Sequence, residues 1–446
     1  MRTIAEHTDA ALALARPRVK SLSLVHATGL TLATPVAARL PVPPFANSAM
    51  DGFAVHSADL AGAADGAGAG GAGWRLPIAG DIPAGAAAVE CPPGHAVRVM
   101  TGAPVPPGHD ITVIPVEQTD IPAGPVPLPD AVTIRRFDPA RRHVRAAGCD
   151  VCAGDVVAEP GTVLDAAALA ALVATGVREV EVFAAPRVAV ISTGDELVAW
   201  PGDISGAQIP NSNLPMLAEI ARAAGAGVVT AFQAGDTDAG GAAAGCTGTA
   251  GATGGFAEAF NRAAADADLV VTSGGVSAGA FDVVRATTQE AGGMWFGHVA
   301  QRPGGPQGIG TYQGTPLLCL PGNPVAAFVS AHLYLVPLIR AFAGYTRGLR
   351  AHERPRFAAE VGSGFPAPLP GRSLVVPARL DFAGPRPYAT AAFAGTGSHR
   401  VASLAGVDGL VILPPAGDAP AEPAVLAEPA ALAGAPRTVS VLPTRL

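Results

Sequence analysis

The sequence predicts a multidomain α/β and β protein, with a central parallel-sheet α/β domain between regions of short strands. Two observations carry this. Between residues 186 and 347 the runs RVAVIS, GVVTAFQ and DLVVTS are continuously apolar, and each ends in a small or acidic turn before a helical stretch. Apolar strands without period-2 polarity, alternating with helices, describe a parallel sheet covered on both faces. Residues 74–134 and those after about 350 instead alternate short apolar runs with Pro and Gly breaks, as β domains do.

Element by element, residues 1–45 with 140–185 are expected to form a discontinuous N-terminal helical and linker domain. Thr8 is the expected cap of a helix running to Lys20, PVPPF forces extended geometry, and Asp165–Thr175 has helical Ala/Leu spacing. Residues 46–139 are expected to be a small β domain, with the AGAADGAGAGGAG tract (61–73) as a surface loop. In the α/β domain (186–347) a helix is expected around Asn213–Ala224, further strands at MWFGHVA and PLLCLP, and a buried helix over Val325–Ile339. That last apolar run is too short to span a bilayer. The final part (348–446) reads as a β-barrel or sandwich.

Composition narrows the chemistry. The 446 residues carry 29 Lys+Arg against 36 Asp+Glu, and Lys20 is the single lysine. A phosphate loop of G-K-[ST] type is excluded, and anion recognition must lean on arginine forks and backbone N–H groups. The net charge of -7 argues against nucleic acid as a partner. No basic segment precedes an apolar one near the N-terminus, and five cysteines (91, 149, 152, 246, 319) cannot all pair, so a cytoplasmic protein with no membrane partner is expected. Cys149 and Cys152 form a CxxC without a second pair or a His cluster, which favours free thiols over zinc. The arginines at 135, 136, 141, 142 and 145 read as a solvated face.

Ligands of open α/β sheets bind outside the carboxyl ends of the strands. The loops there are Ser192-Thr193-Gly194-Asp195-Glu196, Gly235-Asp236, Ser273-Gly274-Gly275-Val276-Ser277 through Asp282, and Pro321-Gly322-Asn323-Pro324. Glycines let N–H groups close on an anion and serines add small donors. The carboxylates would repel that anion unless a hard cation bridges them, so Asp195, Glu196, Asp236 and Asp282 could supply Mg²⁺ ligands, with Glu196, Asp236 and Asp282 the candidates, and a phosphate-bearing substrate fits best. Far away in sequence, Asn47-Ser48-Ala49-Met50-Asp51-Gly52 and the strand end Arg98 to Thr101-Gly102 are dense in hydroxyl, amide and acid groups, and by themselves are equally readable as turns.

Taken together, PVPPFANSAMDGFAV (41–55), AGDIPAG (79–85), RVMTGAPVPPGHDITVIPVEQT (98–119), GCDVCAGD (148–155), VAVISTGDELV (188–198), QIPNSNLPMLAEI (208–220), VVTSGGVSAGAFD (270–282), LPGNPVAAF (320–328) and GTGSHRVASL (395–404) closely resemble the molybdopterin molybdenumtransferases, the MoeA and gephyrin E-domain family. The resemblance implies a molybdopterin-binding-like α/β domain, a C-terminal β-barrel, and a homodimer whose site lies between the α/β domain of one subunit and the NSAMDG and barrel domains of the other. It further implies Mg²⁺-dependent insertion of molybdate into adenylylated molybdopterin with release of AMP, in molybdenum cofactor biosynthesis, with an adenylyltransferase and molybdoenzymes as further partners. Matched position by position, Asp51, Thr101, Glu196, Asp236 and Asp282 are the implied catalytic residues. Substrate contacts are expected from Ser48, Gly194, Ser273, Gly274, Gly275, Ser277, Arg302, Pro306, Asn323 and Ser398.

The sequence also departs from the family. The usual K-P-G-K-P string is Arg302-Pro303-Gly304-Gly305-Pro306, so glycine stands where a lysine helps to hold molybdate. The acidic pair is Asp236-Thr237-Asp238, and Cys149 replaces a common glutamate. Arg372, Ser398 or Ser403 is the expected compensation. The missing lysine also motivates an alternative, a non-catalytic paralogue that carries the pterin nucleotide or serves as a scaffold. A stand-alone adenylyltransferase is disfavoured by NSAMDG and the C-terminal β domain.

Overall fold

The computed structural model describes residues 1–61, 73–235, 255–276, 283–289, 292–395, 397–416 and 438–444. Most of the 61–73 tract, the 239–255 insertion apart from Gly255, and the candidates Asp236, Ser277 and Asp282 lie outside the described residues. The chain divides into two compact units. One comprises Ser21–Gly29 and Thr34–Val180, the other Met1–Lys20, Leu30–Ala33 and Glu181–Leu446.

The unit formed around Thr34–Val180 contains a five-stranded sheet in the order Ile111–Pro115, Gly52–His56, Ala96–Val99, Trp74–Ile82, Ala131–Ile134. Gly52–His56 is buried on both faces because Phe53 and Val55 pack with Leu76 and Ile134, while Ala54 packs with Ile82 and Val113. Gly52 is required, since a Cβ there would lie 1.9 Å from the Ile114 carbonyl oxygen. The expected helix at 165–175 is present as Ala166–Ala174, capped by the Asp165 carboxylate accepting from the Ala168 N–H at 2.9 Å.

In the other unit a six-stranded sheet runs Val228–Ala234, Arg187–Thr193, Leu269–Ser273, Thr315–Leu320, Pro306–Tyr312, Met294–His298. The first four strands are parallel. The last two add antiparallel pairs at one edge of the expected parallel sheet. The reason is local: Gln313 (φ 49°) and Gly314 (φ 81°) form a two-residue hairpin between Tyr312 and Thr315. Both faces of the sheet are covered, as expected. Val188, Val190, Leu269 and Leu318 pack beneath the Asn213–Ala223 and Pro324–Phe342 helices. Ala189, Ile191, Val270 and Leu317 pack with Phe256 and Phe260 of the Phe256–Ala264 helix. Pro324–Phe342 has the length and apolarity of a membrane span, but 89% of it is buried in the core.

The N-terminal helix departs from expectation twice. It spans Ile4–Leu12, because Thr3 and Glu6 form a capping box ahead of Thr8. It also belongs to the α/β unit rather than to a linker domain. His7 packs edge-on to Tyr334 with ring centroids 4.6 Å apart, and the Arg2 N–H donates to the His298 carbonyl at 3.0 Å. The C-terminal region forms a barrel. Ser373–Asp381 pairs with both Tyr388–Ala391 and Gly409–Leu413, and Phe357–Val361 with Thr438–Pro443 completes the five-stranded ring. The short strand Gln301–Arg302 pairs in parallel with Ser373–Leu374, which bolts the barrel beside the sheet.

Candidate functional site

A cavity of about 760 Å³ opens at the carboxyl ends of the parallel strands. Its floor is made by three loops that approach backbone to backbone. Gly274 (φ 97°) lies so near Thr193 that a Cβ would stand 2.9 Å from the Thr193 carbonyl oxygen. On its other side a Cβ on Gly322 would touch the Gly274 Cα at 3.4 Å. Asn213 pins two of these loops, donating from Nδ2 to Ser273 Oγ at 2.7 Å and to the Gly322 carbonyl at 2.6 Å. Ser192 Oγ, Thr193 Oγ1 and Asn213 Oδ1 are buried polar atoms with no partner among the described residues.

Glu196 stands over this floor. The loop that carries it is tied down by a short parallel pair, Leu197–Val198 with Ile209–Pro210. Asn211 donates to Gln233 Oε1 at 3.1 Å, and Gln233 donates to the Leu197 carbonyl at 2.8 Å. Asn211 Oδ1 also accepts from the Leu214 N–H at 3.2 Å, starting the following helix.

The facing wall is cationic. Arg302 and Arg372 line the cavity together with His298, because Gln301–Arg302 pairs with Ser373–Leu374 and Arg372 directly precedes that second strand. Behind them Gln301 and Gln307, both buried, hold the loop. Gln301 Nε2 donates to the Pro303 carbonyl at 2.9 Å, Gln307 Nε2 to the Gly304 carbonyl at 2.8 Å, and Tyr334 donates to Gln301 Oε1. Gly305 has room: a Cβ there would meet nothing closer than 3.6 Å.

Gly194, Glu196, Ser273, Gly274, Gly275, Arg302, Pro306, Asn323 and Ser398 therefore all line one cavity. Of the expected compensating residues, Arg372 and Ser398 line it and Ser403 does not. Both belong to the same chain as the cavity, where the pairing of Gln301–Arg302 with Ser373–Leu374 brings the start of the barrel beside it. Sequence reasoning did not single out His298, Asn211, Asn213 or the Gln301–Gln307 support. The signal for Asn213 was its place in N-S-N, directly ahead of the amphipathic Leu214, Leu217, Ala218, Ala221 series.

The candidates Asp51, Thr101 and Ser48 lie in the other unit. Asp51 Oδ1 accepts from the Thr101 N–H at 2.6 Å and from Thr101 Oγ1 at 2.8 Å, and the N–H bond and then the hydroxyl hold the exposed carboxyl below its usual range. Ser48 is fully buried and braces the same turn, accepting the Gly102 N–H on its carbonyl at 2.9 Å. Among the described residues no group of three or more His, Cys, Asp or Glu side chains could hold a metal ion.

An open, doubly covered sheet with a glycine-floored cleft at its carboxyl edge, bearing Glu196 and two arginines, is the architecture of a ligand-binding α/β protein. Comparison with known proteins specifies which. The MoeA N-terminal region (domain I and II) matches residues 2–176 and the probable molybdopterin binding domain matches residues 189–341. Molybdopterin molybdenumtransferase 2 of Mycobacterium tuberculosis is 40% identical over 371 residues, covering 81% of this chain and 85% of its own. Molybdopterin molybdenumtransferase 1 of the same organism is 33% identical over 434 residues, covering 93% and 95%. A solved molybdopterin biosynthesis moeA protein from Pyrococcus horikoshii shares the fold, with a TM-score of 0.71 at 21% identity over 99% of both chains. The chain belongs to the molybdopterin molybdenumtransferase family, transferases of molybdenum cofactor biosynthesis.

Proposed function

We propose that this protein inserts molybdate into adenylylated molybdopterin with release of AMP. The observation that carries the reading is the single cavity in which Gly194, Ser273–Gly275 and Asn323 face Arg302 and Arg372 across Glu196. Backbone N–H groups and the serine suit the phosphate-bearing part of the substrate, and the two guanidiniums suit molybdate, itself an oxyanion. Holding both in one cleft supplies the proximity that such a transfer needs.

Mg²⁺ fits the donor set, because this ion typically takes one or two carboxylates plus substrate phosphates and keeps several waters. Glu196 is the described carboxylate at the cleft; Asp236 and Asp282 complete the ligand set in this reading, as the family match implies. The ion would neutralise the phosphate charge there. We further read the enzyme as a cytoplasmic homodimer in which the Asp51–Thr101 turn of one subunit serves the cleft of the other.

The decisive experiment supplies adenylylated molybdopterin, Mg²⁺ and molybdate to the purified protein and follows AMP. Molybdate-dependent AMP release is expected, with molybdenum retained in the pterin product. Tight binding of the pterin nucleotide without AMP release at any molybdate concentration would replace this reading with the carrier alternative.

A further inference from the structure

A second cavity, of about 370 Å³, lies where the Pro324–Phe342 helix meets the barrel, and it shares no lining residue with the cleft. Its walls include Ile220, Phe328, Val336 and Leu404, yet Arg340 and Arg354 both reach it. Arg354 is 4% exposed. Its Nη1 donates to the His332 carbonyl at 2.6 Å, while Nε is buried with no acceptor among the described residues. Among the described residues no carboxylate lies within 4 Å of either guanidinium; Glu219, at the cavity, is engaged by Arg222 at 3.4 Å.

Buried arginines are ordinarily matched by an anion, since a desolvated guanidinium without one is unfavourable. Here burial first, and then the repulsion of Arg340 and Arg356, pushes Arg354 down to about 10. His332 is held neutral, its own value driven by burial to about 3, so it adds no positive charge. Apart from Glu219, paired with Arg222 at its edge, the described lining carries no negative charge.

We propose that this cavity is a second anion site that takes a phosphate dianion, in particular a phosphate monoester with a small apolar group. Two guanidiniums favour a dianion over a monocarboxylate, and the part of the Arg354 guanidinium that reaches the cavity, with the fork of Arg340, provides donors for its oxygens. The volume exceeds what a bare phosphate fills, and the Phe328 and Val336 walls suit an apolar substituent.

Calorimetric titration of the full-length protein with orthophosphate and with phenyl phosphate, at constant ionic strength, tests this. Saturable binding of both is expected, tighter for phenyl phosphate. Arg302→Ala, which alters only the cleft, should leave this binding in place, whereas Arg340→Gln should weaken it at least tenfold. Arg354→Met should abolish it; if that variant does not fold, half-buried Arg340 carries the test. Absence of saturable phosphate binding, or binding lost in Arg302→Ala and kept in Arg340→Gln, would overturn the site. Equal affinity for the two probes would overturn its apolar half.

Discussion

The carboxylate of Glu196 lies folded over the Cα of Gly194: a methyl group built there would stand 2.6 Å from Oε2 and 2.9 Å from Oε1. The glycine is thus the seat of the acid. Gly194 also has φ 147°, a conformation that side chains rarely adopt. Gly194→Ala should displace Glu196 from the cleft and lower molybdate-dependent AMP release by at least about tenfold, equivalent to about 1.4 kcal/mol of lost transition-state stabilisation. Backbone strain should add about 1–3 kcal/mol of destabilisation, read as a lower Tm. Wild-type turnover in a folded Gly194→Ala protein would remove Glu196 from the machinery.

Gly305 stands where the family has a lysine, and its surroundings admit one. The nearest atom to a new Cβ would be His298 Cδ2 at 3.6 Å, and the backbone needs no glycine conformation. Gly305→Lys should therefore fold normally and, by adding a cation beside Arg302, lower the half-saturating molybdate concentration several-fold. AMP release measured across a molybdate series decides it. An unchanged curve would mean that Arg302 and Arg372 already supply the whole oxyanion grip.

The parts of this architecture that were legible in the sequence are those fixed by composition over several consecutive residues. VAVIS and LVVTS read as doubly buried strands because both of their faces are in the core, and the glycine and serine loops that follow them do converge on one cavity. The strand Pro306–Tyr312 was not anticipated. It contains two glycines: Gly308 is needed where a Cβ would stand 2.5 Å from the Phe296 ring, and Gly310 where it would stand 2.0 Å from the Gly293 carbonyl oxygen. Glycine here marks close packing, which a linear pattern does not distinguish from a turn. The N-terminal helix was misassigned because its partner Tyr334 is more than three hundred residues away, and no local signal encodes that contact. Asn213 illustrates the same limit. Its place ahead of a helix was visible, but its bonds to Ser273 and Gly322 depend on the sheet order.

If the Asp51–Thr101 turn serves the cleft of a second subunit, two inactive variants should rescue each other. Asp51→Ala removes the acceptor of both Thr101 bonds, and Glu196→Ala removes the acid at the cleft. Each alone should lose most molybdate-dependent AMP release. Subunits refolded or co-expressed in equal amounts should recover about a quarter of wild-type activity, since about half the dimers are mixed and each of those holds one complete site of two. No recovery, in preparations shown to contain mixed dimers, would place both residues at a site within one subunit.

Acid should destabilise the α/β unit through its buried histidines. His7 is buried against Trp295 and Tyr334, and neither ring nitrogen has a partner among the described residues. Burial, with the charge of Arg2 adding to it, drives its pKa from 6.5 to about 3. Burial, reinforced by Arg354 and Arg340, does the same to His332. The folded values lie below the unfolded one, so both residues are neutral in either state above pH 6.5 and stability there is full. Between 6.5 and about 3 the unfolded chain binds protons that the native state refuses, and stability falls by about 1.4 kcal/mol per pH unit for each histidine. His7→Phe keeps an aromatic ring and sacrifices no hydrogen bond, so it should fold and remove one of these two slopes. Urea unfolding at pH 7 and pH 5 should then show the variant losing roughly 2 kcal/mol less than the wild type between the two conditions. Equal losses would mean that His7 is protonated in the native protein and that the apolar pocket opens to admit its charge.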